Sequence, residues 1–482
     1  MRRQSQPDLS LFSIGLGIMG DVIYSRKKRK SMSEALKLDI EELTKLPELQ
    51  HRNFREDEFW RKIPAWSSVS RVEFEDHRWQ LKHSIRKIEQ VQKALGPLCT
   101  PELMSDLEAG QKITPMNIRI TPYIFSLINW SDPWEDPLRK QFLPLGSQFL
   151  PDHPFYKADS LGEDTDSPVA MLTHRYPDKV LFLPTTICPV YCSYCTRSRV
   201  VGGGTESVDK SSYGANQKKW DDVFEYLLRN PLVEDVVISG GDSYMLTPVQ
   251  LKYIGESLLK IPHIRRIRYA TKGIAIFPQK IITDDLWFNA LKEVYDFGKS
   301  YGKQVVVHTH FSSPREITKW SQLAMDRLFS AGILVRNQAV LQSGVNDSVE
   351  TMVKLTRQLG FINIQPYYVY LHDMVPGCEH FRTTLREGIE LEKAVRGTTA
   401  GFNTPTFVCD LPDGGGKRHV ASYEYYDEEN GISVWKAPYV KPGSLFTYFD
   451  PIHKLSPEAQ KRWQNPKETK AMIQDALKKV TD

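Results

Sequence analysis

"KVLFLPTTICPVYCSYCTRSR", Lys179 to Arg199, joins two signals in one stretch. Its opening, "KVLFLPTT" (179–186), is an apolar, β-branched run and reads as a strand. The remainder packs Cys188, Cys192 and Cys195 into eight residues, whereas the rest of the chain holds only Cys99, Cys378 and Cys409. Thiolates are soft ligands suited to iron–sulfur clusters or to zinc. Zinc in a closed structural site wants four protein ligands. The loop offers no fourth cysteine or histidine, and no second Cys-x2-Cys appears in the sequence. The reading is therefore an iron–sulfur cluster. Three cysteines on a four-iron cluster leave one iron open to a small molecule.

Working outward, this strand starts a regular alternation. Five more strands are predicted at 234–239, 264–271, 303–311, 333–341 and 362–370, with helices at 217–230, 247–261, 284–300, 314–331 and 347–359. Strands alternating with helices argue for βαβ units and a parallel sheet, either a partial barrel or a doubly wound fold. In both, chemistry sits at the C-terminal ends of the strands. Upstream, apolar residues recur at helical spacing from 67 to 95, followed by a mixed, Pro-rich stretch to 178.

Composition narrows the class. The 482 residues are 40% hydrophobic and 25% charged, as in ordinary globular proteins, and no apolar run approaches the roughly 18–20 residues of a membrane span. A net charge of +4 gives no reason to invoke nucleic acid. One cysteine cluster plus three isolated cysteines suits a reducing compartment, cytoplasmic or mitochondrial, rather than a disulfide framework. The opening residues are mildly apolar and lead to "RKKRK" (Arg26 to Lys30); Asp8 and Asp21 count against a transit peptide.

Other motifs fall at the strand ends. "SGGD" (Ser239 to Asp242) comes after the second strand; Thr271 and Lys272 end the third, His310 the fourth, and Gln338 lies in the fifth. Gly-Gly-Asp alone is a turn signal, and a lone histidine is commonly structural. Polar residues at four successive strand ends weigh toward a site. "DGGGK" (Asp413 to Lys417) reads either as a flexible loop with a solvated charge or as a lysine set for Schiff-base chemistry.

The cysteine loop after the first strand resembles the radical S-adenosylmethionine superfamily. "DSPVAMLTHRYPDKVLFL", "CTRSRVVGG", "EHFRTTLREGIELEKAVRG" and "PTFVCDLPDGGGK" resemble lysine 2,3-aminomutase and its relatives, from about Trp79 to Val420. The resemblance implies a partial (β/α)6 barrel at 166–380, a mainly helical region at 36–165, a leader at 1–35 and a C-terminal extension at 381–482. It implies a 4Fe–4S cluster on Cys188, Cys192 and Cys195, with S-adenosylmethionine held by Gly240, Gly241, Asp242, Thr271, His310 and Gln338. Lys417 becomes the attachment point of pyridoxal phosphate, Arg175 a phosphate contact and Tyr176 a neighbour of its ring. Arg197 becomes the clamp on the substrate α-carboxylate, and Asp373 and Asp410 the receptors of the lysine side-chain ammonium.

The reaction so implied is conversion of L-lysine to β-lysine, started by a radical and driven by an external reductant. Alternatives are an aminomutase acting on arginine or on a protein-bound lysine, and a cofactor-binding protein without turnover. Where bacterial aminomutases bind structural zinc near their C-terminus, no cysteine follows Cys409 here, so zinc is not carried over and homo-oligomerisation stays open. Lys179 and Lys272 stand where relatives often have arginine, and residues 203–217 form an insertion expected at the surface.

Overall fold

The computed structural model describes residues 47–210 and 216–481, so the leader and residues 211–215 of the insertion lie outside the described residues. The chain divides into units 1–53 and 54–482; the described part of the first includes a 3-10 turn, Pro47–Arg52. The second unit carries the sheet and every candidate site residue.

Nine strands form one sheet in chain order: β1 Leu172–Tyr176, β2 Lys179–Phe182, β3 Asp235–Ile238, β4 Arg266–Ala270, β5 Gln304–Thr309, β6 Leu334–Val340, β7 Ile364–Tyr370, β8 Thr406–Leu411 and β9 Gly416–His419. From β2 to β8 every pairing is parallel; β1 and β9 pair antiparallel at the two edges. The six expected strands are β2 to β7. The sheet then runs on into residues 381–482 through β8 and β9, past the boundary expected at 380. Its two edges meet, since the Lys417 backbone N–H in β9 donates to Tyr176 Oη at the end of β1, at 2.9 Å. The result is a nearly closed partial barrel.

Helices Gln217–Leu228, Pro248–Lys260, Asp285–Ser300, Lys319–Ser330, Val349–Phe361 and Leu385–Val395 lie between the strands. Each begins where a short polar side chain can cap it: Asn216, Thr247, Asp284, Thr318, Ser348 and Thr384 all accept a backbone N–H of the first turn. Leu251, Ile254, Leu258, Leu291 and Val294 are fully buried on these helices, as are Val236, Ile238 and Ile267 on the strands. The opposite strand face lines the interior. Val237 and Ser239, Arg268 and Ala270, Gln338 and Val340, and Tyr368 and Tyr370 recur two apart on that wall, as pleating requires.

The helical run expected over 67–95 is instead three short helices, Arg71–Glu75, His77–Lys82 and Ile88–Leu95. Asp76 ends the first and caps the second, accepting the Trp79 N–H at 2.7 Å. Ile85 then pairs with Ile120 through reciprocal backbone bonds, which holds the chain extended before the third. Phe74 on the first and Val91, Ala94 and Leu95 on the third are buried, while Trp79 and Leu81 on the second pack partly buried against the core. After β9, β10 Tyr425–Asp427, β11 Ile432–Lys436 and β12 Leu445–Phe449 form a small antiparallel sheet, followed by helices Pro457–Gln464 and Pro466–Thr481. Among the described residues, no helix is long and apolar enough to cross a membrane.

Candidate active site

The cysteine loop leaves β2 and is tied down by backbone bonds. Gly241 N–H donates to Thr185 O at 2.6 Å, Asp242 N–H to Ile187 O at 3.0 Å, and Ser193 N–H to Gln141 O at 2.8 Å. Gly240 has φ +96°, and a Cβ there would stand 2.2 Å from Thr185 O. Only glycine lets the turn after β3 pack this closely on the cysteine loop. Asp242 caps that turn, accepting Tyr244 N–H at 2.8 Å and Lys272 N–H at 2.9 Å. Both carboxylate oxygens thus have backbone donors, while burial, against those bonds, pushes the group up to about 6.

Cys188, Cys192 and Cys195 carry free thiols and line a cavity of about 250 Å³ together with Gly240, Gly241, Asp242, Thr271, His310 and Gln338. Every residue the sequence assigned to the cluster and to S-adenosylmethionine therefore faces one space. Burial holds the three thiols protonated: Cys192 is pushed up to about 12, and Cys188 is raised further by Asp242 and by the other two thiols. Cationic iron would reverse that balance. His310 Nε2 is already engaged by Tyr194 Oη at 3.0 Å and Ser312 Oγ at 2.9 Å.

A second cavity of about 310 Å³ is lined by Arg175, Tyr176, Lys179, Arg197, Tyr370, Asp373, Asp410 and Lys417, among others. Antiparallel pairing sets Lys417 of β9 opposite Asp410 of β8, and Nζ lies 2.7 Å from Oδ2. Burial would lower the lysine, but Asp410, Tyr370 and Tyr176 hold it well above its ordinary value. Burial likewise works to raise Asp410, yet Lys417 keeps it low. Asp373 accepts from Thr196 Oγ1 at 2.5 Å; burial, then repulsion from Asp410, pushes it up to about 7. The other oxygen of each acid, Asp373 Oδ1 and Asp410 Oδ1, is buried without a hydrogen-bond partner.

The cations of this cavity are also held. Arg197 donates from Nε and Nη2 to Glu163, the shortest contact being 2.7 Å. Arg175 donates to Asp166 at 2.7 Å and to Leu161 O at 2.5 Å. Lys179 lies 3.7 Å over the Tyr176 ring; burial, then Lys417 and Arg268, pushes it down to about 8. Gly416 packs against that ring, with φ +75° and space for a Cβ only 2.8 Å from Tyr176 Oη.

The two cavities adjoin. Thr196, Arg197, Ser239, Ala270, His310, Gln338 and Val340 line both. Sequence reasoning missed His308, Glu163, Thr196 and Tyr370. His308 shares a strand face with His310, two residues on, and that alternation was a usable signal. Glu163 gave none beyond an acidic run. The insertion, expected at the surface and able to touch the mouth of the site, does reach it: Lys210 is buried and donates to Val201 O at 3.0 Å and Pro115 O at 2.5 Å, beside the first cavity. A larger cavity, about 940 Å³, lies elsewhere, against Leu150, Phe155, Trp463 and Ile473, and includes none of the cysteines.

With this geometry in place, the chain can be set beside known proteins. No family model matches it. L-lysine 2,3-aminomutase of Acetoanaerobium sticklandii is 39% identical over 394 residues, 81% of this chain and 88% of that protein. L-lysine 2,3-aminomutase of Clostridium subterminale is 39% identical over 393 residues, 82% of this chain and 88% of that one. Glutamate 2,3-aminomutase of Clostridioides difficile is 31% identical over 356 residues, 74% of this chain and 79% of that one. Among solved structures, SuiB of Streptococcus suis bound to S-adenosylmethionine overlaps 53% of this chain and 55% of its own, with a TM-score of 0.37 at 14% identity, too loose a likeness to add support.

Proposed function

The chain belongs to the lysine 2,3-aminomutase family and is a radical S-adenosylmethionine isomerase, and from that premise we propose that it moves the α-amino group of L-lysine to Cβ within its two adjoining cavities. The observation that carries this reading is the shared wall: three cysteines open on one side of it and Lys417 on the other.

The residues present fit the groups the family implies. Cys188, Cys192 and Cys195 would hold the cluster, their donors being soft and otherwise uncommitted to metal. Lys417 would hold pyridoxal phosphate, and the phosphate would fall among Arg175, Lys179 and Arg268; Arg175 and Arg268 already rest on Asp166 and Asp235, while Lys179 is repelled by Lys417 and Arg268 and would gain most from an anion. When bound, the cluster and S-adenosylmethionine supply a radical that removes hydrogen from substrate, and pyridoxal phosphate supplies the electron sink for nitrogen migration.

The chain's own residues supply recognition. Asp410 neutralises Lys417 here; with that amine held by pyridoxal phosphate, Asp410 would be without its cation. Asp410 and Asp373 then present two buried carboxylates, each with an oxygen lacking a partner, to a cation. At the other end, Glu163 takes Nε and Nη2 of Arg197, which leaves Nη1 for the substrate carboxylate. Glutamate would place a second carboxylate against the acid pair, and repulsion excludes it. Tyr176, Tyr367, Tyr368 and Tyr370 wall the cavity with aromatic surface that keeps bulk water from the reacting atoms.

The test is anaerobic incubation of reconstituted protein with S-adenosylmethionine, pyridoxal phosphate and dithionite in place of the external reductant. Lysine, arginine and glutamate are offered separately. The expected product is β-lysine from lysine, with none from glutamate; turnover of glutamate in preference to lysine would overturn the assignment of the acid pair.

A further inference from the structure

His308 lies in β5, is 3% exposed and lines the first cavity. Its Nδ1 stands 2.7 Å from Gln338 Nε2, and Gln338 Oε1 accepts from Tyr370 Oη at 3.1 Å. An amide nitrogen can only donate, so Nδ1 accepts and the neutral imidazole carries its proton on Nε2. That Nε2 is buried and has no hydrogen-bond partner. Such a donor is costly to leave unmet, so a ligand acceptor is the natural complement. The ring stays neutral at working pH: burial first, then Arg268, Arg336, Lys179 and Arg266, pushes it down to about 3.

We propose that His308 Nε2–H is a binding donor to the nucleoside part of S-adenosylmethionine, oriented by the Tyr370–Gln338 relay. This rests on reading the first cavity as the S-adenosylmethionine site. A neutral donor leaves no charge to balance against the neutral acceptors of this ligand, its ribose oxygens and purine ring nitrogens. His310 is the less available histidine of the pair, because Tyr194 and Ser312 already occupy its Nε2. The relay also crosses between cavities, since Gln338 lines both and Tyr370 only the second.

The experiment is calorimetric titration of the reconstituted holoprotein with S-adenosylmethionine and with 5′-methylthioadenosine, which keeps the nucleoside and lacks the amino-acid part. His308→Phe should weaken both ligands by about three- to tenfold. His308→Asn, which restores a donor, should recover most of that loss, and Tyr370→Phe should weaken methylthioadenosine by a smaller factor from the neighbouring cavity. Thermal midpoints of the variants separate misfolding from lost contact. Nitrogen NMR of the unliganded protein should show the Nε2-protonated tautomer. An unchanged affinity in His308→Phe, or the Nδ1-protonated tautomer, overturns the inference alone. Wild-type protein that binds no S-adenosylmethionine would overturn the proposed function itself.

Discussion

The two cavities balance their polar groups in opposite ways. Around the cysteines burial holds the thiols protonated and depresses His308 and His310, Asp242 caps a turn, and Lys272 rests on Glu316 at 2.8 Å. Around Lys417 the groups stay charged and compensate in pairs, Lys417 with Asp410, Arg197 with Glu163 and Arg175 with Asp166. Asp373 is the member of that set without a cation of its own. The thiols and histidines of the first side therefore carry no charge until metal displaces protons, and the other side is a set of ion pairs that a zwitterionic ligand can exchange into. Loss of a cysteine from the first should act all or none, whereas loss of a charge that only recognises substrate from the second should act by degrees.

The largest effect tests the first half of that contrast. Cys195→Ala should drop iron and sulfide content and bring turnover to background, since two cysteines cannot retain a site-differentiated four-iron cluster. Retention of full iron content would break the contrast at its root. Next in size, Lys417→Ala should lower turnover on the order of 10³-fold or more while leaving iron content unchanged. Borohydride followed by mass analysis should trap pyridoxal phosphate on wild-type protein and not on this variant; trapping on a different lysine would reassign the second cavity.

How much of this was legible beforehand depends on where each signal resides. Strands β2 to β7 show in the sequence because runs such as "VVVHT" are buried along most of their length and lie between capped helices. β1, "LTHRY", did not show, because Thr173 and Arg175 face the cavity, His174 meets Tyr226 on the other side, and its pairing depends on a two-residue turn into β2. β8 and β9 were seen only as motif, although they complete the sheet and set Asp410 opposite Lys417. The ionic partners were the least legible part. Glu163 and Arg197 are 34 residues apart and Thr196 and Asp373 are 177 apart, and only the folded barrel brings them together.

The middle-sized effect concerns Asp373. With this acid pushed up to about 7 in the free enzyme, its charge is present above that pH and lost below it. Loading Lys417 with the cofactor removes a cation that lowers this group, so in the active enzyme the acidic limb should lie above about 7, and kcat/KM for lysine should fall about tenfold per unit below it. Asp373→Asn should cost about thirtyfold or more in kcat/KM and abolish that acidic limb. An acidic limb that persists in Asp373→Asn would assign it to another group and detach Asp373 from substrate recognition.

The smallest effect sharpens the charged side of the comparison. Lys179 is a point charge over the Tyr176 ring at 3.7 Å, repelled by Lys417 and Arg268 and pushed down to about 8. Part of its charge is therefore lost at mildly alkaline pH in the unliganded protein. Arginine keeps its charge there, stacks on the same ring and offers a planar fork to phosphate. Lys179→Arg should bind pyridoxal phosphate about three- to tenfold more tightly, and the gain should grow between pH 7 and pH 9 as the lysine of the wild type discharges. Equilibrium binding of the cofactor across that range reads both the gain and its slope. A gain independent of pH would mean that the fork alone matters; weaker binding would mean that the cavity has no room for it and that the phosphate sits elsewhere among these cations.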